Sequence, residues 1–291
     1  MITVKRMRIV TIQPHGFCGG VVRAIRIVER ALADENTIKP IYMLGNIVHN
    51  KHVVRAFQEK GIIVLDGLSR DVMLEQIEEG TIIITAHGAS DKIKSRAREK
   101  GLNIIDATCA CVEKTHALVK EKLYQGYAVY YYGKKNHPET EGVLGISPAI
   151  ILVTGADDIK ALPAYAGKAV LTNQTTMSYN EVRRLHEKMR LKIPQLELVD
   201  EVCDATRRRQ EAVIAQKGEI DLLIVVGDPL SNNTRMLEET AEKNGIKAIQ
   251  IEDESDLDKY DFSGYETIGV TAGASTPETI IDNVIASLKA R

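Results

Sequence analysis

Cys18, Cys109 and Cys203 divide the chain at intervals of 91 and 94 residues, and residues 203–291 make a third stretch of 89. A thiolate can act as nucleophile, redox centre or soft metal ligand. A single free cysteine before a helix is usually a small buried hydrophobe. Three at one repeat interval point instead to a shared site. None belongs to a C-x-x-C pair of the kind that marks structural zinc. Thiolates select zinc or iron–sulfur clusters. A cubane cluster on three cysteines leaves one iron without a protein ligand, a position open to Lewis-acid chemistry and electron delivery. Cys111 breaks the repeat and reads as structural.

Other polar residues keep the same interval. His49, His137 and Ser231 lie 31, 28 and 28 residues after their cysteines, and His87, Thr175 and Ser275 lie 69, 66 and 72 after them. Glu139 follows His137 in NHPETEG. A carboxyl beside histidine in a closed pocket suits proton donation, although glutamate in a first helical turn also simply complements the helix dipole. The SNN (231–233) and GAST (273–276) segments open helices. Such N-termini bind phosphate through free amides and hydroxyls, or serve as ordinary caps.

These residues need elements to hold them. β-branched runs at 8–12, 41–44, 62–65, 81–85 and 102–105 alternate with amphipathic stretches at 21–33 and 53–60. That alternation predicts an α/β fold with parallel sheets built from strand–helix–strand units. The long repeat means repeated domains rather than a solenoid. The expected units span 14–108, 109–202 and 203–291, with a strand at 6–12 completing the third. In open parallel sheets ligands bind at the carboxyl ends of strands. Three pseudo-equivalent units around a central cavity would bring the cysteines and polar loops to one place.

Composition removes other classes. With 38 basic and 40 acidic residues the net charge is −2, against the basic face that nucleic-acid binding requires. No apolar run approaches a membrane span, and MITVKRMRIVTIQ lacks the long apolar region of a signal peptide. The expected compartment is the cytoplasm, where disulfides are rare. The run Arg207–Arg209 reads as a solvated helix face.

Nine segments together resemble one family: GFCGGVVRAI (16–25), NIVHN (46–50), AHG (86–88), DATCACV (106–112), NHPETEG (136–142), NQTT (173–176), TRRRQEAV (206–213), SNN (231–233) and TAGASTP (271–277). In this order and at these separations the chain resembles the 4-hydroxy-3-methylbut-2-enyl diphosphate reductases of the non-mevalonate isoprenoid pathway. The resemblance implies one 4Fe-4S cluster on Cys18, Cys109 and Cys203. It implies a diphosphate held by His49, His87, Ser231, Asn233 and Ser275, with Asn232 standing where the family often has Ser. His137, Glu139 and Thr175 would surround the substrate hydroxyl, with Glu139 as proton source. The implied reaction is reductive dehydroxylation to isopentenyl and dimethylallyl diphosphate. No G-x-G-x-x-G follows a strand, so electrons are expected from a separate ferredoxin or flavodoxin. The residues alone also suit a dehydratase with a three-cysteine cluster, or a non-catalytic zinc-binding sensor.

Overall fold

The computed structural model describes residues 7–291. The chain begins β1 (Arg8–Thr11), α1 (Gly19–Ala33), β2 (Ile41–Leu44), α2 (Lys51–Glu59), β3 (Ile63–Leu65), α3 (Arg70–Glu75), β4 (Thr81–Ile84), α4 (Asp91–Glu99) and β5 (Asn103–Asp106). It continues α5 (Ala110–Tyr124), β6 (Ala128–Tyr132), α6 (Pro138–Leu144), β7 (Ile151–Val153), α7 (Ala156–Ala161), β8 (Ala169–Asn173), α8 (Tyr179–Arg190) and β9 (Leu196–Leu198). It ends α9 (Asp204–Ile214), β10 (Leu222–Val226), α10 (Asn232–Lys243), β11 (Ala248–Ile251), a 3-10 turn, β12 (Thr267–Ala272) and α11 (Glu278–Ala290).

The strands form three four-stranded sheets, ordered β3-β2-β4-β5, β7-β6-β8-β9 and β11-β10-β12-β1. Every pairing among the described residues is parallel. The expected α/β class with three small parallel sheets holds. Each sheet repeats one winding. Its first strand sits inside, the next takes one edge, the third returns beside the first, and the last closes the other edge. In the third sheet that last strand is β1, paired with β12 in the register Arg8↔Thr267 to Thr11↔Val270. Residue 6 of the expected strand lies outside the described residues.

The chain gathers into two compact units. One holds Gly20–Val48 and His52–Cys203, and so the first two sheets. The other holds the segment up to Gly19, His49–Lys51 and Asp204–Arg291, and so the third.

The cores follow strand alternation. On β6, Val129 and Tyr131 face one way, toward Val119 of α5 and Val143 of α6. Tyr130 and Tyr132 face the other, toward Val182, Leu185 and Met189 of α8. A parallel sheet covered on both faces needs near-continuous apolar strands. β4 and β10 accordingly read TIII and LLIVV, buried throughout. Each fully buried aliphatic side chain contributes about 1.5–3 kcal/mol. Among the described residues no helix is long and apolar enough to cross a membrane.

Candidate active site

Each cysteine immediately precedes a helix, Cys18 before α1, Cys109 before α5 and Cys203 before α9. Each is pinned through its backbone to the loop after its sheet's third strand. Cys109 N donates to Ala86 O at 2.9 Å, Cys203 N to Thr175 O at 2.9 Å and Cys18 N to Ala274 O at 3.2 Å. The repeat is therefore a repeat of hydrogen bonding. Cys109 is held further by Arg23 Nη1, which donates to Thr108 O at 2.6 Å.

The loop from β6 to α6 is shaped by its sequence. Asn136 adopts a left-handed φ of 62°, a conformation asparagine accepts more readily than most residues. His137 is the extended N-cap and Pro138 takes the first helical position, where its fixed φ suits the helix and its missing N–H costs nothing. His137 Nδ1 accepts from Glu139 N at 3.2 Å, which leaves the ring's hydrogen on Nε2. The His87 and His137 rings meet edge to face, with centroids 5.4 Å apart.

Glu139 is 1% exposed. Thr175 N donates to its Oε1 at 2.7 Å and Thr175 Oγ1 donates to its Oε2 at 3.0 Å. Burial raises the carboxyl to about 7; the Thr175 bonds pull it down, and the Cys109 and Cys203 sulfurs push it up. Gln174 locks the surrounding loops. Its Oε1 accepts from Lys134 N at 2.9 Å and from Thr140 Oγ1 at 3.3 Å, and its Nε2 donates to Thr176 Oγ1 at 2.9 Å. Buried Arg70 donates to Pro138 O at 3.2 Å, between His137 and Glu139.

The other unit carries a second polar cluster. Ser231 caps α10 by accepting from Thr234 N at 3.3 Å. Ser275 Oγ lies 3.5 Å from Ser231 Oγ and donates to His49 O at 2.9 Å. Asn232 Oδ1 accepts from Arg235 at 3.0 Å. Asn233 is committed on both sides of its amide, donating to Thr206 Oγ1 at 3.1 Å and accepting from Ala274 N at 3.0 Å. It fastens the GAST loop to α9 and α10.

The cysteines fit a soft metal group. None is in a disulfide and all are partly exposed, at helix N-termini whose amides favour a negative sulfur. Cys109 is lowered to about 6, chiefly by donation from the Cys111 thiol and further by the amides of Cys111 and Val112, against burial.

A family model described as LytB protein matches residues 9–289. The 4-hydroxy-3-methylbut-2-enyl diphosphate reductase of Halalkalibacterium halodurans is 48% identical over 97% of this chain and 91% of its own. That of Bacillus cereus is 50% identical over 97% of this chain and 90% of its own. The chain belongs to the LytB family of 4-hydroxy-3-methylbut-2-enyl diphosphate reductases. LytB membership makes it an oxidoreductase. A solved E-1-hydroxy-2-methyl-but-2-enyl-4-diphosphate reductase from Plasmodium falciparum superposes with a TM-score of 0.89 at 31% identity, over 97% of this LytB chain and 87% of that one.

Some of the site escaped the sequence. Gln174 was visible inside NQTT without a role. Arg70 opens a six-residue helix with no motif around it. The arginine run is not uniformly solvated: Arg208 is exposed, but Arg209 is 3% exposed and donates to Gly16 O at 2.7 Å and Ala205 O at 2.8 Å. Successive helical residues point about 100° apart, so three arginines in a row cannot share one face.

Proposed function

We propose that the chain uses two electrons and two protons to reduce 4-hydroxy-3-methylbut-2-enyl diphosphate to isopentenyl diphosphate and dimethylallyl diphosphate, one proton leaving with the allylic hydroxyl as water and the other ending on the allyl carbon. The reading draws its substrate from the names of relatives at about half identity. The observation that carries its chemistry is Glu139. A fully buried carboxyl held near 7 both keeps a proton and yields it at neutral pH.

A 4Fe-4S cluster on Cys18, Cys109 and Cys203 would supply electrons and a Lewis-acidic iron for the substrate hydroxyl. The protein's own groups do the rest. Hydroxide leaves poorly, so a proton must arrive as the C–O bond breaks. Thr175 Oγ1, 3.0 Å from Glu139 Oε2, is the relay from the carboxyl to that oxygen. His137, capping the helix that begins beside Glu139, orients the hydroxyl end. His49, His87, Ser231, Asn232, Asn233 and Ser275 take the diphosphate. Their hydroxyl, amide and imidazole donors replace its lost water, and a protonated histidine adds compensating charge. Anchoring one end holds the other for reaction, a gain in proximity. Electrons arrive from a separate cytoplasmic carrier such as ferredoxin or flavodoxin. The enzyme needs neither nucleic acid nor membrane.

Glu139→Gln should retain iron and substrate binding while losing turnover by about 10²–10⁴-fold, the usual contribution of a positioned acid. Near-normal turnover in that variant rejects the assignment.

A further inference from the structure

The proposed reaction gives Cys111 no step of its own, although its thiol donates toward Cys109. Its Sγ lies 3.4 Å from Cys203 Sγ, although the two residues are 92 apart in sequence. Neither is in a disulfide, and both are partly exposed. Cys111 sits in the first turn of α5, and Cys203 is tethered by its amide to Thr175 O at 2.9 Å. A helix turn and a loop of one compact unit thus present a pre-positioned dithiol. Closing it to a disulfide shortens the sulfur separation by about 1.4 Å, within the reach of side-chain rotation.

We propose that Cys111 is a resolving thiol: when peroxide strips the cluster, Cys111 and Cys203 form an intramolecular disulfide that keeps Cys203 recoverable for cluster rebuilding. The proposal rests on Cys203 being a cluster ligand. The step balances with one hydrogen peroxide. One sulfur attacks the peroxide, the O–O bond breaks, and one oxygen stays on sulfur as sulfenic acid while the other leaves as water. The second sulfur then attacks the first. The S–O bond breaks, the S–S bond forms, and a second water departs. Two thiols lose two electrons and two protons, and one peroxide becomes two waters. A cysteine without a resolving neighbour proceeds instead to sulfinic acid, which thiol reductants do not reverse. A disulfide is reduced by simple thiol exchange. Of the two sulfurs near Cys111, Cys203 suits this role better, because Cys109 is only two residues away and such close pairs strain disulfide geometry.

The test uses the full cluster-loaded chain, treated with hydrogen peroxide until its iron is released, then alkylated, digested and mapped by mass. The wild type should yield one cross-linked species joining the peptides of Cys111 and Cys203, two hydrogens lighter than their sum. Cys109→Ala, treated with peroxide in its cluster-free form, should still form it, and Cys111→Ala should not. After dithiothreitol, ferrous iron and sulfide, the wild type should regain its starting iron. Cys111→Ala, loaded to the same iron content before oxidation, should lose most of that recovery and carry two added oxygens on Cys203. A Cys109–Cys111 link overturns the proposal, as does equal iron recovery in wild type and Cys111→Ala. If the untreated protein binds no iron, the cluster reading fails separately, while the peptide map still reports on the dithiol.

Discussion

Replacing Thr175 with Val preserves the shape beside Glu139 but removes the hydroxyl that donates to Oε2 at 3.0 Å. The backbone bond from residue 175 to Oε1, 2.7 Å long, survives. A hydrogen bond to an ionised group is worth about 1.5–3 kcal/mol. At about 1.36 kcal/mol per unit of pKa, losing it should raise the carboxyl from about 7 by about 1–2 further units. With Glu139 as the proposed acid, the rate depends on its protonated form and falls as pH rises through its pKa. The assay is the pH dependence of kcat/KM, followed anaerobically by oxidation of a reduced one-electron dye. The falling limb should move upward by about 1–2 units in Thr175→Val, whatever happens to the maximal rate. It should stay in place in Thr175→Ser, which keeps the hydroxyl. A limb that does not move in a folded, iron-loaded Thr175→Val enzyme would refute the coupling between these residues.

The same carboxyl bears on stability in the cluster-free chain. Because its pKa rises from 4.5 to about 7 on folding, the ionised unfolded state is increasingly favoured as pH climbs between those values. Glu139→Gln should therefore be more stable than wild type by about 3 kcal/mol above pH 7, a difference that vanishes as pH falls to 4.5; urea titrations with no pH-dependent gap would count against the burial argument. Substituting Ser for Cys18, Cys109 or Cys203 should each lower bound iron, and unchanged iron in all three variants would dismiss them as ligands. Gly273→Ala would drive a new Cβ into the Thr234 side chain, with Cβ of that residue at 3.1 Å and its backbone close behind. Overpacking of this kind costs about 1–3 kcal/mol; an unshifted melting temperature would show that the GAST loop tolerates it.

The chain-level pattern was legible because it is repeated. The spacing of Cys18, Cys109 and Cys203, and the apolar runs between them, point to parallel sheets, since a doubly covered strand has to be apolar along its length. The strand limits fell within about a residue of 41–44, 63–65 and 81–84. What stayed hidden depends on contacts distant in sequence. Arg209 reaches Gly16 across 193 residues, and Arg70 reaches Pro138 across 68; neither has a local signature. Cys111 read as structural because only folding brings it beside Cys203. Asn233 was legible as a candidate anion donor, whereas its bonds to Thr206 and Ala274, which hold the loop in place, no spacing could disclose.

The central claim is best tested in one anaerobic experiment. The cluster is loaded, iron and sulfide are confirmed, a reduced one-electron dye is supplied, and 4-hydroxy-3-methylbut-2-enyl diphosphate is added. Substrate-dependent dye oxidation with both five-carbon diphosphates appearing is the expected result. A cluster-loaded enzyme that leaves the dye reduced, or that releases water from the substrate without consuming electrons, would contradict it.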